Sequence, residues 1–259
     1  MSARTAQRRW SSLGLPLATL AILLASAELA KRMGMLPVFV PGPVEVGMLV
    51  WSNPALVVSN VLPTLYKASA GYAIAAIVAV CAGSIAVLAR VLHNPIYNVG
   101  VGLHSIPIIA TAPLLALSLG NGPQVQIAIA ALASQFPMLV GTMQGFKSAD
   151  ARQRELMHVL SASRFQTLRY LLVPSALPYI LAGFKVAAPS AVLGAVTAEW
   201  AGADRGVGAM MLYALFSYDT PKVWLSVLLT CLLAAGGYGV WALAERLLVV
   251  WNSDVEIEH

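Results

Sequence analysis

Long apolar runs dominate the chain, and its charges gather between them. From Arg90 to Lys147 there are 56 consecutive residues without Asp, Glu, Lys or Arg. A helix needs about 20 apolar residues to cross the hydrocarbon core of a bilayer. This stretch therefore predicts two crossings, 96–119 and 123–146, turned by the Gly120-Asn121-Gly122-Pro123 sequence. Ala68–Ala89 and Val223–Ala244 are further uncharged runs. Residues 13–30 carry Glu28 near one end, and 177–200 carry Lys185 and Glu199 near their two ends. The pattern predicts an all-α polytopic membrane protein with about six transmembrane helices. Strands of a membrane barrel would instead alternate over about ten residues. Pro107 and Pro113 predict bends in the third span. Gly236, Gly237 and Gly239 predict close helix packing in the sixth.

Composition sharpens this. Of 259 residues, 59% are hydrophobic and only 10% charged, and the mean hydropathy is +0.77. Soluble domains average about 25% charged residues, so a soluble enzyme, a disordered chain and a nucleic-acid binder are all excluded. The net charge of +5 marks a membrane surface. With the N-terminus inside, the inner segments hold Arg4, Arg8, Arg9, Arg90, Lys147, Arg152, Arg154, Arg164, Arg169 and Arg246. The outer segments hold Lys31, Arg32, Lys67, Arg205 and Lys222. This bias predicts both termini in the cytoplasm. Lys185 is expected to snorkel to the inner headgroups. The organisation read from it is a cytoplasmic tail over 1–12, a transmembrane domain over 13–251, and a second cytoplasmic tail over 252–259. Arg4, Arg8 and Arg9 before an apolar run also suit a signal peptide. Ala25-Ser26-Ala27 leads straight into Glu28, however, and a retained first span is the expectation. Cys81 and Cys231 fall inside apolar runs and read as small core residues, with neither a disulfide framework nor a metal set.

One polar segment is more than a connection. Residues 147–178 read KSADARQRELMHVLSASRFQTLRYLLVPSALP. Leu156, Val159 and Leu160 share one helical face. A break follows at Ser161-Ala162-Ser163, and Ser163 with Gln166 forms a capping-box pattern that starts a second helix. Phe165, Leu168, Leu171 and Leu172 give that helix an apolar face. Pro174 is expected to stop it and Pro178 to open the next span. On residue pattern alone, an amphipathic segment lying on the bilayer fits this stretch too.

The same stretch resembles the cytoplasmic "EAA" loop of binding-protein-dependent ABC transporter permeases. That pattern is Glu-Ala-Ala, three residues, Gly, nine residues, Ile, one residue, Leu-Pro. Glu155 falls on the Glu, Ser161 on the Gly, Leu171 on the Ile, and Val173-Pro174 on the Leu-Pro. Ala162-Ser163-Arg164-Phe165-Gln166-Thr167 and Ile180-Leu181-Ala182-Gly183 agree, as do Phe136-Pro137 and Ala198-Glu199-Trp200. The likeness runs from about Pro41 to Trp251 and is strongest to the nitrate/sulfonate/taurine type, which also handles pyrimidine precursors. Leu156-Met157 replaces the Ala-Ala pair, and Ser161 replaces a glycine that permits a left-handed backbone. The resemblance implies the type I importer permease fold, with the 147–178 loop as a coupling helix on the cytoplasmic side. Its implied setting is multi-pass in a bacterial inner membrane. Implied partners are two cytoplasmic ATP-binding subunits, an extracytoplasmic substrate-binding protein and a second permease copy, all in a lipid bilayer and without nucleic acid. No cofactor is implied for this chain: ATP and Mg would be bound by the ATPase. In agreement, no Gly-x-x-x-x-Gly-Lys-Ser/Thr phosphate loop is present, so the chain is not expected to be an enzyme.

The implied docking residues are Glu155, Leu156, Val159, Leu160, Ser161, Ser163, Arg164 and Pro174. Leu156, Val159 and Leu160 would serve as apolar anchors, Glu155 and Arg164 as charged contacts, and Ser163 as a cap. Glu155 serves helix-dipole compensation equally well. Polar side chains inside spans are costly and tend to face a cavity or another helix, which makes His104, Ser105, Thr111, Gln126, Gln135 and Glu199 candidates for a substrate pathway. For His104 a helix-packing hydrogen bond competes with that role. For Glu199 the competing role is an interfacial belt beside Trp200. An ion-coupled secondary transporter would need a coupling site in the membrane, and a membrane enzyme would need clustered catalytic groups. His93, His104, His158 and His259 form no such cluster in sequence.

Overall fold

The computed structural model describes residues 3–37, 39–120 and 122–249. In chain order the helices are α1 (Ala3–Arg32), α2 (Pro43–Ser52), α3 (Pro54–Leu88), α4 (His93–Ser105), α5 (Ile108–Leu119) and α6 (Pro123–Lys147). They continue as α7 (Ala151–Val159), α8 (Arg164–Thr167), α9 (Val173–Glu199), α10 (Val207–Phe216) and α11 (Thr220–Leu248). No strand occurs among the described residues. Pro54–Leu88, Pro123–Lys147, Arg164–Glu199 and Thr220–Leu248 are each long and apolar enough to cross a bilayer. The bent pair α4 and α5 makes a fifth if it counts as one span. The expected first span lies within α1, and the helix begins at Ala3, well inside the expected N-terminal tail. The 252–259 tail lies outside the described residues.

The chain divides into two compact units. One takes the chain up to Val58 together with Met210–Val227; the other takes Ser59–Ala209 and the chain from Leu228 onward. In the first unit, Glu28 of α1 bonds the Arg32 side chain one turn on and accepts the backbone N–H of Val44 at 3.2 Å. That N–H belongs to the first turn of α2, where no preceding carbonyl can reach it.

The second unit is built around α6 and α9, which run together backbone to backbone. A Cβ on Gly183 would lie 2.6 Å from the Pro137 carbonyl oxygen, and one on Gly141 would lie 2.7 Å from that of Tyr179. Gly145 meets the Ala176 carbonyl in the same way. Small residues allow such approach between membrane helices, where contact replaces the hydrophobic drive available in water. Ala75, Ala79 and Ala86 of α3, Met138, Leu139 and Met143 of α6, and Ala187 of α9 form one buried cluster. Beside it Tyr72 donates to the Phe184 carbonyl at 3.0 Å, and the Tyr72, Phe184 and Trp241 rings tie α3, α9 and α11 together. Only one of the three glycines in the sixth span is pressed close to a neighbour: a Cβ on Gly237 would be 3.3 Å from that of Ala188, while Gly236 and Gly239 face open space.

The bend expected at Pro107 is present, with α4 and α5 meeting at 95°, while several other expectations are corrected. Ile106 is extended (φ −72°, ψ 128°) because the ring of Pro107 excludes the helical region for the residue before it. Pro113, by contrast, sits inside α5 without ending it. Pro174 does not stop the second loop helix. The chain stays helical from Arg164 to Glu199, because a wide π-turn over Leu168–Leu172 comes first and the Val173 N–H reaches the Leu168 carbonyl. A proline ring clashes with the carbonyl four residues back, and one extra residue in the turn relieves that clash. Pro178 accordingly lies inside α9. Lys185 pairs with Glu245 of α11. Cys81 and Cys231 lie on exposed helix faces, not in the core.

Gly183→Val tests the helix pair that organises this unit. Its branches would have to displace the Pro137 carbonyl, at a cost of about 3 kcal/mol or more. The thermal midpoint of the detergent-purified protein should fall sharply, whereas Gly239→Val should leave it nearly unchanged.

Candidate functional site

Two regions of the second unit draw together polar chemistry. The first is the loop. Asp150 caps α7 by accepting the Arg152 N–H at 3.1 Å. Ser148 Oγ donates to the Ser175 carbonyl at 2.9 Å and fastens the end of α6 to the start of α9. Glu155, Leu156, Val159 and Leu160 are all exposed, the three apolar residues at 56%, 75% and 65%. Leaving three neighbouring aliphatic side chains in solvent on one short helix is unfavourable unless something covers them. The helix ends at Ser161, whose φ of +52° is left-handed. The Ser161 N–H meets the His158 carbonyl and the Ala162 N–H meets that of Met157, which together make a Schellman motif with serine where glycine is usual. Serine therefore takes the turn that the family's glycine would take, at a cost of about 1–2 kcal/mol. Two residues on, the capping box is complete: Ser163 accepts the Gln166 N–H and Gln166 Oε1 accepts the Ser163 N–H at 2.7 Å. Phe165 and Leu168 are exposed and Leu171 is buried, so the second helix does not bury its apolar residues as one face. Arg164 is exposed beside the cap, and Pro174 is half-buried in the first turn of α9.

The second region was not visible as a unit in the sequence. Glu199, a candidate for the substrate pathway with an interfacial belt as the competing role, is 1% exposed. Its carboxylate accepts from Lys67 Nζ at 3.0 Å, Thr64 Oγ1 at 2.8 Å and the Gly208 N–H at 2.8 Å. Lys67 also donates to the Arg205 carbonyl, Thr64 Oγ1 accepts the Val207 N–H, and Asn60 Oδ1 accepts that of Gly206. The turn from α9 to α10 is thereby held against α3 by side chains from one stripe. Gly206 has φ +145°, and a Cβ there would overlap the Glu199 carboxylate at 2.1 Å, so only glycine fits. Asn60, Thr64 and Lys67 stand at i, i+4 and i+7, and this polar stripe on a long apolar helix is the signal that sequence reasoning missed.

The remaining pathway candidates do not converge. His104 stacks on Phe136 with ring centroids 5.0 Å apart, instead of making the expected packing hydrogen bond. Ser105 and Thr111 donate to carbonyls of their own helices, Val101 and Ile108. Gln126 is buried. Gln135 Nε2 is buried with no hydrogen-bond partner among the described residues.

The family model of the binding-protein-dependent transport system inner membrane component matches residues 79–247. The chain belongs to the binding-protein-dependent ABC transporter permeases. It is 32% identical to the riboflavin transport system permease RibX of Chloroflexus aurantiacus, over 97% of this chain and 95% of that protein. It is 28% identical to the formylaminopyrimidine transport permease ThiX of Halalkalibacterium halodurans, over 89% and 93%. A putative aliphatic sulfonates permease, SsuC of Bacillus subtilis, is 31% identical over 60% of this chain and 56% of that one. A solved inward-facing structure of the MetNI methionine ABC transporter shares the fold, with a TM-score of 0.58 at 17% identity, over 72% of this chain and 95% of that chain. Members of this family are membrane subunits that work with an ATPase and a substrate-binding protein.

Within the permease, Lys67 and Glu199 should depend on each other. Lys67→Met leaves a carboxylate buried without its counter-charge and should cost about 3–5 kcal/mol. Lys67→Met with Glu199→Gln should recover most of that loss. A double-mutant cycle of thermal unfolding in detergent measures the coupling; additive losses would remove the pair from its role.

Proposed function

We propose that this permease forms, with a second copy of itself, the pathway of an ATP-driven importer for a small polar solute, and that α7 docks onto a separate ATPase in the cytoplasm. The observation that carries the reading is the exposed apolar face of Leu156, Val159 and Leu160, on a short helix held at both ends by caps and bonded through Arg154 to the end of α6, which Ser148 in turn fastens to the start of α9. Movement of that helix would pass directly into the α6–α9 pair. ATP-driven closure of two ATPases would then rock the spans between inward-open and outward-open states. Glu155 and Arg164 supply charged contacts at the rim of the docking surface. The lysine and arginine bias supports cytoplasmic termini in a bacterial inner membrane.

The solute belongs to the nitrate, sulfonate, taurine or pyrimidine-precursor class. Two relatives matched over nearly their whole length carry names of nitrogen heterocycles, which favours the pyrimidine-precursor end. The pathway candidates His104, Ser105, Thr111 and Gln135 are few and scattered, and a tight site needs several convergent polar groups. Specificity therefore rests mainly on the outer binding protein. Glu199 is assigned to holding the α9–α10 turn.

Leu160→Asp puts a charge into an apolar contact and should cost several kcal/mol of docking. Co-purification of the ATPase and transport should both collapse while membrane insertion persists. Normal transport by this variant would remove α7 as the docking element.

In reconstituted vesicles, uptake should require ATP and the cognate binding protein. That protein's ligand should stabilise it by about 2.7 kcal/mol at a hundredfold excess over Kd, read by thermal shift. Uptake by the permease alone, driven by an ion gradient, would instead make it a secondary transporter.

A further inference from the structure

Where α3 ends, α4 begins and α6 meets α7, a cavity of about 380 Å³ opens, lined by His93, Asn94, Phe146, Lys147 and Arg154 with the last turn of α3. It falls within the range of about 300–1,000 Å³ usual for small-ligand clefts. No acidic side chain lines it. Lys147 Nζ stands 2.6 Å from His93 Nε2, and His93 Nδ1 stands 3.1 Å from Asn94 Oδ1. An ammonium can only donate, so Nε2 accepts and Nδ1 carries the proton toward Asn94. The neutral imidazole steadies Lys147 without neutralising it. Arg154 reaches back from α7 and donates from one guanidinium nitrogen to the Phe146 carbonyl at 3.1 Å, leaving its other donors available. Of the acids nearest in sequence, Asp150 accepts the Arg152 N–H as the cap of α7, and Glu155, next to Arg154, is exposed and outside the lining. Beside the cavity Leu88 and Val91 are 85% and 87% exposed.

We infer that this cavity binds a phosphate group, held by Lys147 and Arg154 with His93 orienting the lysine. Two cations in a concave site fit the several oxygens of a phosphate, and Arg is suited to bidentate contact with them. Anionic headgroups occupy basic pockets of this kind between membrane helices. The exposed Leu88 and Val91 offer a track for acyl chains and favour a phospholipid as the source. Arg154 lies about 120–160° around α7 from Leu156, Val159 and Leu160 at 3.6 residues per turn. A bound phosphate would therefore brace α7 from the side opposite its apolar face. The site does not depend on what that face contacts.

The test uses the assembled transporter in nanodiscs of phosphatidylcholine, with or without phosphatidylglycerol. Wild type should melt higher with phosphatidylglycerol and retain it in native mass spectrometry. K147Q/R154Q should bind it about thirtyfold more weakly. R152Q/R169Q, which removes the same charge elsewhere on the loop, should bind like wild type. K147R/R154K keeps the charge and should also bind; with R154Q alone it carries the comparison should K147Q/R154Q fail to assemble. Protection by phosphatidylglycerol alone makes the ligand a lipid, whereas equal protection by millimolar inorganic phosphate in phosphatidylcholine discs makes it a soluble phosphate. Either upholds the site. Equal phosphatidylglycerol retention by wild type and K147Q/R154Q overturns it. Release of the ATPase by K147Q/R154Q with lipid binding unchanged also overturns it, and assigns the pocket to a protein carboxylate.

Discussion

The carbonyl oxygens of Pro137 and Tyr179 occupy the space where Gly183 and Gly141 would carry a Cβ, and the larger unit of this permease depends on that contact. Two membrane helices gain little from burying apolar surface against each other, because lipid is as apolar as leucine. They gain from dispersion contacts, which strengthen as the backbones approach. Glycine and alanine along α6 and α9 permit that approach. It also gives a mechanical link, since the loop of 147–178 leaves the end of one of these helices and enters the start of the other.

That loop is stiffened by local chemistry. Asp150 at one end of α7, a left-handed Ser161 at the other and the Ser163–Gln166 box beyond it satisfy backbone groups that helix ends leave open. The π-turn ahead of Pro174 lets the helix that begins at Arg164 run on past the proline that was expected to end it. A segment stiffened in this way passes on force applied to it, and the same stiffness keeps three aliphatic side chains in solvent. Those two properties together support the coupling role proposed for α7.

The buried Lys67–Glu199 pair serves a different end. Burying two charges is expensive, and the arrangement persists because nearly every donor and acceptor around them is used. What it secures is geometry: a turn with glycine at φ +145° held to α3 by side chains. Glu199 was singled out from sequence as a candidate for the solute path, and its surroundings assign it to architecture. A polar group inside a span faces either a cavity or another helix. Ser105 and Thr111 instead satisfy their own helices, and His104 packs on a ring.

Whatever rests on neighbours along the chain was legible in the residues alone. Uncharged runs of bilayer length mark the spans, Gly120 to Pro123 the hairpin, Ser163 and Gln166 the cap, and Glu155 to Pro174 the family. Each is a local matter of hydration, backbone freedom or hydrogen bonding within a few residues. Which distant groups meet is set by packing in three dimensions. Lys67 and Glu199 are 132 residues apart, and Lys185 and Glu245 are 60 apart; nothing in either neighbourhood names the other. The exposure of both cysteines and the close approach of Gly237 but not Gly236 follow from how helices pack around α6 and α9. Hydropathy reports how much a helix prefers an apolar setting. It does not say whether that setting is lipid or another helix, and that difference separates a structural charge pair from a belt residue.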